Sequence, residues 1–477
     1  MASWSRPPVG IVRAEVEFSR YLAESFPATS RFCVFSGIDL AYHEISLQDC
    51  LSLIETLQRP RAEITSLQAK QTVQRFQARD TRRSALKDLS SRFPRRIRKW
   101  LSKFYNLAFN GGRFRLPIHK TNDSGDRNFD TSTTRHTTLN GLQINVEIAN
   151  QALNPFSRDD TFVSMGLDWD QKDFSVVSKV RNEFALKVVW LCYDLIPIKF
   201  PHLCADGVPK KFSGYFKDVA SVADLILCIS KSTQLDLASY FAGQKCAVPL
   251  LDVIHLGCTL PPSGIQHSSQ AVDFLVGTKY LLYVSTIERR KNHETLYRAY
   301  VKLIDSGLTD LPPLVFVGMQ GWGVSDFLND LKLDFRVKDK IILLTDLNDA
   351  DLAAVYKGSY LTLYPSLYEG WGLPVAESLA YGKFCLASNS SSIPEVGSGL
   401  LEYIDPWDVP SWADRIFYYV SNPAEVKRRE EAIKEKYRVH SWVDSGAAIY
   451  AACSKLYNFE ESACLKLNDR EHEPGKF

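Results

Sequence analysis

The chain has 477 residues and a mass of 54.0 kDa. At roughly 150 residues per domain, this length predicts two or three domains and excludes a single small binding module. Hydrophobic residues make up 45% and charged residues 23% of the chain, which is typical of a globular protein and not of a disordered one. The net charge is +2, from 57 basic and 55 acidic residues, so no overall field favours nucleic acid as a partner.

The ten cysteines are scattered and include no C-x-x-C pair. We therefore expect neither a disulfide framework nor a structural zinc site, which is typical of a reducing cytoplasm. No apolar run reaches the ~18 residues of a membrane span, and the N-terminal segment lacks the apolar core of a signal peptide. These features predict an intracellular protein that does not cross a bilayer.

The first half of the chain contains three apolar runs that are typical of buried strands, at residues 161–166, 187–194 and 224–230. A Ser/Thr-capped helical pattern follows the last of them. Together they predict a doubly wound domain over residues 1–265. Its boundary is expected in the Pro-, Gly- and Ser-rich stretch 260–270, which is typical of a linker.

One segment of this half, residues 75–120, is strongly basic, with fourteen Lys and Arg against two acids. Within it, a helical wheel of residues 95–108 separates seven apolar from seven polar side chains, and Pro94 stands where a helix start tolerates proline. Such a helix either packs on its own domain or, as we favour, lies on an anionic membrane surface. No nucleic-acid-binding motif accompanies the charge, so nucleic acid is not expected as a partner.

From Lys279 onward, short β-branched or aromatic runs alternate with helical patterns. Strands are predicted at 279–285, 313–318, 341–345, 360–364 and 384–388, and helices after Asn292, at 349–357, from Pro374 and from Asp408. This alternation predicts a parallel sheet with helices on both faces. We expect the second doubly wound domain to span 275–425, the helices of 426–465 to pack back on the first domain, and 466–477 to be a disordered tail.

The most specific stretch is EGWGLPVAE, residues 369–377. Gly370 and Gly372 let the backbone approach a ligand closely, and the N–H groups at the start of the following helix suit a diphosphate. Glu369 lies before that helix and Glu377 lies within it. Two carboxylates so placed predict contacts with hydroxyl-rich groups on both sides of the phosphates, a sugar and a ribose.

This stretch resembles the E-x(7)-E signature of the retaining, metal-independent glycosyltransferases of the GT-B fold, family 4 (group 1). The segment STIERRKNHETL (285–296) resembles the family's second phosphate site: Lys291 matches its lysine, Arg290 is a weaker match, and Thr286 stands where many members have an arginine. The segments 316–323 and 391–399 also match, so the resemblance covers 279–421.

The resemblance implies a role for each matched residue. Lys291 would stabilise the departing nucleoside diphosphate, Glu377 would bind the ribose, and Glu369 would contact the transferred sugar. Other residues implied at the donor site are Arg290, Thr286, Gly318, Gly370, Trp371, Gly372 and Leu373.

The first half resembles the family's acceptor domain more loosely. Residues 6–22 are similar to its first turn and helix, with Gly10 facing the cleft. The strand expected before Gly10 is absent, so either the true start lies upstream or the sheet lacks an edge strand. The segment YDLIPIKFP (193–201) resembles the family's H-D-x-x-P segment. Tyr193 replaces the histidine on the acceptor side, and Asp194 is the remaining candidate for a catalytic group.

We therefore predict an α/β protein of the GT-B class, with two doubly wound Rossmann-like domains facing a cleft. The expected activity is a retaining transfer of a hexose, with mannose as a guess, from a nucleotide sugar to a lipid-linked or cell-surface glycan at the inner face of the cell membrane. Neither metal nor cofactor is expected, since Asp168-Trp169-Asp170 is interpreted as a turn and not as a metal site. The alternatives are a sugar-nucleotide epimerase of the same fold and an inactive, glycosyltransferase-like membrane adaptor.

Overall fold

The structure, a computed structural model, describes residues 10–36, 40–58, 135–139, 142–146, 155–166, 173–244, 248–258, 271–308 and 310–468. Three of the predictions fall on residues outside these ranges: the basic helix 95–108, the Asp168-Trp169-Asp170 triplet and the linker 260–270.

The first part of the chain, up to Cys258, is built around one parallel sheet. Its elements are α1 (Ile11–Ser25), β1 (Phe32–Ser36), β2 (Ala41–Ile45), α2 (Leu47–Gln58), β3 (Arg135–Leu139), β4 (Leu142–Val146), β5 (Thr161–Ser164), α3 (Phe174–Phe184), β6 (Lys187–Cys192), α4 (Ile196–Lys199), α5 (Val208–Val222), β7 (Leu225–Cys228), α6 (Lys231–Gln244) and β8 (Leu250–Val253). The parallel strands have the order β5-β6-β7-β8, while β1–β2 and β3–β4 are antiparallel pairs. Strands β6 and β7 are central and almost wholly buried, which explains their unbroken apolar sequences.

The second part contains a larger parallel sheet. Its elements are β9 (Leu281–Val284), α7 (His293–Asp305), β10 (Leu314–Val317), α8 (Ser325–Leu333), β11 (Ile341–Leu344), α9 (Asp349–Gly358), β12 (Leu361–Tyr364), α10 (Leu373–Ala380), β13 (Cys385–Ser388), α11 (Ile393–Gly397), β14 (Glu402–Ile404), α12 (Val409–Ser421), α13 (Pro423–Lys436) and α14 (Trp442–Asn468). The six strands have the order β11-β10-β9-β12-β13-β14. The strand order reverses between β9 and β12, and in such sheets ligands bind outside the carboxyl ends of the strands at that point.

The two parallel sheets, each accompanied by helices, confirm the predicted α/β, GT-B-type class. One apolar cluster is continuous between them, from Leu191 and Leu227 in the first sheet to Leu281 and Phe316 in the second. The exact domain boundaries stay predictions.

The last helix, α14, packs on the first part of the chain. The rings of Tyr450 and Phe26 stack with centroids 3.9 Å apart, and the Ser445 hydroxyl donates to the His255 carbonyl oxygen at 2.9 Å. The helix ends at Asn468 and so includes the first three residues of the expected tail, since Lys466 and Leu467 are good helix formers. Among the described residues, no helix combines the length and apolar character needed to cross a membrane.

Candidate active site

Two loops meet where the strand order reverses. The cation loop, residues 285–292, follows β9, and the Glu369 loop, residues 365–372, follows β12. Backbone contact joins them, since the Leu367 amide donates to the Arg290 carbonyl oxygen at 2.8 Å. Asn292, immediately before α7, has φ of 57°, and its side chain does not cap that helix. Instead its side-chain amide nitrogen donates to the carbonyl oxygens of Pro365 and Pro406. These hydrogen bonds connect the cation loop to two neighbouring loops.

The Glu369 carboxylate lies at the centre of the site and is buried. Lys291 Nζ donates to its Oε1 at 2.6 Å, and Arg290 Nη1 donates to its Oε2 at 2.6 Å. The hydroxyls of Ser366 and Tyr364 also donate to Oε1, at 2.5 and 3.1 Å. The structure therefore brings together three residues that the sequence placed at the donor site.

Burial alone would raise the pKa of Glu369, but the charges of Arg290 and Lys291 and the hydrogen bonds from Lys291 and Ser366 lower it to about 2. Burial lowers the pKa of Lys291, and the pairing with Glu369 opposes that effect. In a region that excludes water, the two neighbouring cations favour the ionised form of the Glu369 carboxylate.

Arg290 has more partners than its weak match to the family motif indicated. Its Nη2 donates to Glu288 Oε1 at 2.8 Å, and its Nη1 also donates to the Tyr368 carbonyl oxygen at 2.7 Å. Glu288 was not predicted as a site residue, because nothing in its local sequence shows that Arg290 turns back towards it. Its pKa is raised by burial, against the opposing charges of Arg290 and Lys291.

Asp194 reaches the same cluster from the first sheet, just beyond the end of β6. Burial raises its pKa, while the charge of Arg290 and the amide hydrogen bond from Ile196, at 2.9 Å, oppose the rise. A buried carboxyl whose pKa is raised retains a proton to higher pH than usual, and the charges of Arg290, Glu369 and Lys291 all act on it.

Glycines allow the loops to pack this closely. A Cβ at Gly370 would lie 2.1 Å from the Tyr193 carbonyl oxygen, and one at Gly318 would lie 1.9 Å from the Ser285 carbonyl oxygen. Gly372, with φ of 120°, immediately precedes α10, whose first residue is Leu373. At Gly370 and Gly318 another backbone segment lies so close that only glycine fits.

Glu377 lies inside α10 and has a different set of neighbours. The Tyr356 hydroxyl donates to its Oε2 at 2.7 Å. Burial raises its pKa, opposed by that hydrogen bond and by the charge of Arg13 on α1. A residue of the first part of the chain thus acts on the carboxylate that the resemblance assigns to the ribose.

The remaining predicted residues have the following positions. Trp371 is buried and stacks on His255, with centroids 4.6 Å apart. Thr286 lies beside Gly321, where a Cβ on the glycine would be 3.0 Å from the Thr286 methyl group.

Gly10 precedes α1 with φ of 55°. The Tyr193 hydroxyl donates to the Met165 carbonyl oxygen at 2.7 Å, so it supports the end of β5 from within the core.

His293 is the first residue of α7. It is buried, and burial together with the charge of Lys291 lowers its pKa to about 3. In the described part of the chain, no group of three or more His, Cys, Asp or Glu side chains is placed to hold a metal ion. Metal independence stays a prediction, because Asp168-Trp169-Asp170 lies outside that part.

Residues 266–439 match the family model described as "Glycosyl transferases group 1". This match contains both loops of the site and all six strands of the second sheet. The resemblance to the group 1 glycosyltransferases of the GT-B class is therefore confirmed, whereas family 4 and the retaining mechanism stay predictions.

Curated relatives carry related names. The chain is 28% identical over 237 residues to "Serotype-specific mannosyltransferase WbdA" of Escherichia coli, covering 47% of this chain and 28% of the relative. It is 36% identical over 130 residues to "O-antigen chain mannosyltransferase B" of Escherichia coli, covering 27% of this chain and 34% of the relative. The matched region thus spans about a third or less of these two relatives.

Among solved structures, sucrose-phosphate synthase from Thermosynechococcus elongatus aligns with a TM-score of 0.47 and 18% identity, covering 60% of this chain and 71% of that chain. Anabaena HepE in complex with UDP aligns with a TM-score of 0.46 and 14% identity, covering 62% of this chain and 79% of that chain.

Proposed function

We propose that this protein is a glycosyltransferase that moves a hexosyl group, specifically mannosyl, from a nucleotide sugar to a glycan acceptor. One observation carries the proposal: Lys291 and Arg290 both contact Glu369 at the point where the strand order reverses, just before the start of α10. The family match supports the class of reaction, and the names of the two Escherichia coli relatives support mannose.

In the proposed reaction the site acts mainly by electrostatics. The departing nucleoside diphosphate gains negative charge as the bond to the sugar breaks. Lys291, Arg290 and the N–H groups at the start of α10 stabilise that charge. The Glu369 carboxylate pairs with both cations. A diphosphate would replace the carboxylate there, and Glu369 would then be released to contact the hydroxyls of the transferred sugar.

Glu377 would accept hydrogen bonds from the ribose, held in place by the Tyr356 hydroxyl. Asp194, with its raised pKa, would face the reacting centre from the opposite side of the crevice. We further propose that transfer proceeds with retention, needs no metal, and takes place on a lipid-linked or cell-surface glycan at the inner face of the cell membrane. The basic segment 95–108 would provide contact with anionic lipid.

The test is a panel of nucleotide sugars, including GDP-mannose, scored by thermal stabilisation and by sugar transfer in EDTA. A true donor at 100 times its Kd is expected to stabilise the chain by about 2.7 kcal/mol. Lys291→Ala is expected to abolish the effect. Lys302→Ala provides the matched control, because Lys302 is an exposed lysine of α7.

The result that contradicts the proposal is a panel in which no nucleotide sugar binds or donates. Conversion of a nucleotide sugar to its epimer, without any dependence on acceptor, would instead identify an epimerase. Transfer that stops in EDTA and returns with Mg²⁺ or Mn²⁺ would contradict metal independence alone.

A further inference from the structure

Helix α6, from the first part of the chain, contacts the Glu369 loop. The Tyr368 hydroxyl donates to Asp236 on α6 at 2.5 Å. The same hydroxyl accepts from Lys199 Nζ, at the end of α4, at 2.8 Å, and Lys199 also forms an ion pair with Asp236. The residue immediately before Glu369 is thus held by two charged side chains from the first part of the chain.

Helix α6 is itself fixed to the second part of the chain at its start. The Glu395 carboxylate, on α11, accepts from the amides of Lys231 and Ser232 at 2.7 and 2.8 Å. These are N–H groups of the first turn, which have no partner within a helix and which favour a negative charge. The anchoring at the first turn fixes where Asp236, in the second turn, stands relative to the Glu369 loop.

Tyr368 connects this contact to the centre of the site. Its carbonyl oxygen accepts from Arg290 Nη1, and the same nitrogen donates to Glu369 Oε2. The Tyr368 ring packs on Phe200, with centroids 4.7 Å apart. Because the side chain and the carbonyl of one residue are both engaged, a displacement of Tyr368 would change the geometry around Arg290 and Glu369 as well.

We propose that Asp236 and Lys199 are positioning residues for Glu369. By holding Tyr368, they fix the Glu369 loop in the arrangement that pairs with Arg290 and Lys291, and they do so only while α6 is docked on the second part of the chain. The catalytic consequence rests on the proposed function, whereas the positioning itself follows from contacts within the chain.

The first experiment therefore needs no ligand: hydrogen exchange of the Glu369 loop in the full chain. The variants are Asp236→Asn, which weakens the acceptor, and Tyr368→Phe, which removes the hydroxyl but retains the ring and the carbonyl. Loss of a hydrogen bond to a charged group is expected to accelerate exchange of the loop amides by roughly tenfold. Asp218→Asn is the control, because Asp218 is exposed on α5. Unchanged exchange in both variants would overturn the proposal.

The second experiment measures transfer from GDP-mannose, or from whichever nucleotide sugar the wild type uses. Both variants are expected to lower kcat by roughly tenfold, and the double variant to be no slower than Tyr368→Phe alone, because both substitutions act on the same contact. Asp236→Glu, which keeps the carboxylate, is expected to recover part of the rate. Unchanged kcat in both variants would overturn the positioning role. A wild type that transfers no sugar would contradict the proposed function alone, and hydrogen exchange would still decide the positioning.

Discussion

Replacing Glu369 by Gln tests whether the paired cations depend on this carboxylate. The surroundings lower the pKa of Glu369 from 4.5 to about 2. At ~1.4 kcal/mol for each pKa unit, the ionised carboxylate contributes roughly 3 kcal/mol to stability at pH 7. In Glu369→Gln, Arg290 keeps Glu288, whereas Lys291, whose side chain is only 12% exposed, loses its ion-pair partner. We expect a loss of about 3 kcal/mol, in the range measured when one member of a buried ion pair is removed.

Thermal unfolding at pH 7 measures this loss. In a domain of this size each kcal/mol corresponds to roughly 2–4 °C, so the melting temperature is expected to fall by roughly 6–12 °C. The matched control is Glu294→Gln in α7, because Glu294 and its partner Arg298 are both exposed. An exposed pair of this kind contributes only about 0.3–0.5 kcal/mol, so the control should unfold near the wild-type temperature.

The pH dependence provides a second measurement. A carboxylate with a lowered pKa stabilises the fold above its unfolded pKa and loses that contribution as the pH falls towards its folded pKa. For Glu369 these limits are 4.5 and about 2. Between pH 6 and pH 3.5 the wild type should lose roughly 1 kcal/mol of stability through this group, and Glu369→Gln should not. Inorganic pyrophosphate should stabilise the variant more than the wild type, because it replaces the missing negative charge. Equal melting temperatures at pH 7, with parallel pH profiles, would refute the reasoning.

Three further predictions follow from single features of the chain. Glu377→Ala should weaken nucleoside diphosphate binding by about 1.5–3 kcal/mol, the range for a hydrogen bond to a charged group; unchanged affinity in calorimetry would remove Glu377 from the site. Gly370→Ala should cost about 1–3 kcal/mol in thermal unfolding, because its Cβ would lie 2.1 Å from the Tyr193 carbonyl oxygen, whereas Gly214→Ala, where a Cβ meets no atom within 4 Å, should not destabilise. Exchanging the five basic residues of 95–108 for Gln should release the protein from anionic vesicles in co-sedimentation and leave nucleotide-sugar affinity intact; a variant that still pellets would contradict membrane contact.

Local patterns were sufficient to predict the framework of the site. Alternating apolar runs placed five strands of the second sheet within two residues of their observed ends. The carboxyl ends of parallel strands meet at one edge, so the loops bearing Lys291 and Glu369 had to lie together. The edge strand β8 was missed because its side chains are exposed or half-buried in alternation, and β14 because it has only three residues.

The pairings within the site depend on distant parts of the chain, which no local pattern reports. Arg290 bonds Glu369, 79 residues later, and Tyr356 bonds Glu377, 21 residues later, from a separate helix. Asp236 and Tyr368 are separated by 132 residues. Motif matching ranks a residue by its type at a given position. It therefore ranked Arg290 low and gave no rank to Glu288, Tyr356 or Asp236, although each is fixed by a contact from another element.

The balance of charge in the site explains why the contacts that motif matching did not identify matter for the proposed reaction. Arg290 and Lys291 supply two positive charges, and Glu369 and Glu288 supply the opposing negative ones within hydrogen-bond distance. The charges of the cluster therefore nearly cancel. Under the proposed function, a diphosphate would gain no attraction from an excess of positive charge there, and its binding would be an exchange in which the phosphates replace the Glu369 carboxylate. Glu369 would then compete with the donor, and the contacts that position it would set the strength of that competition.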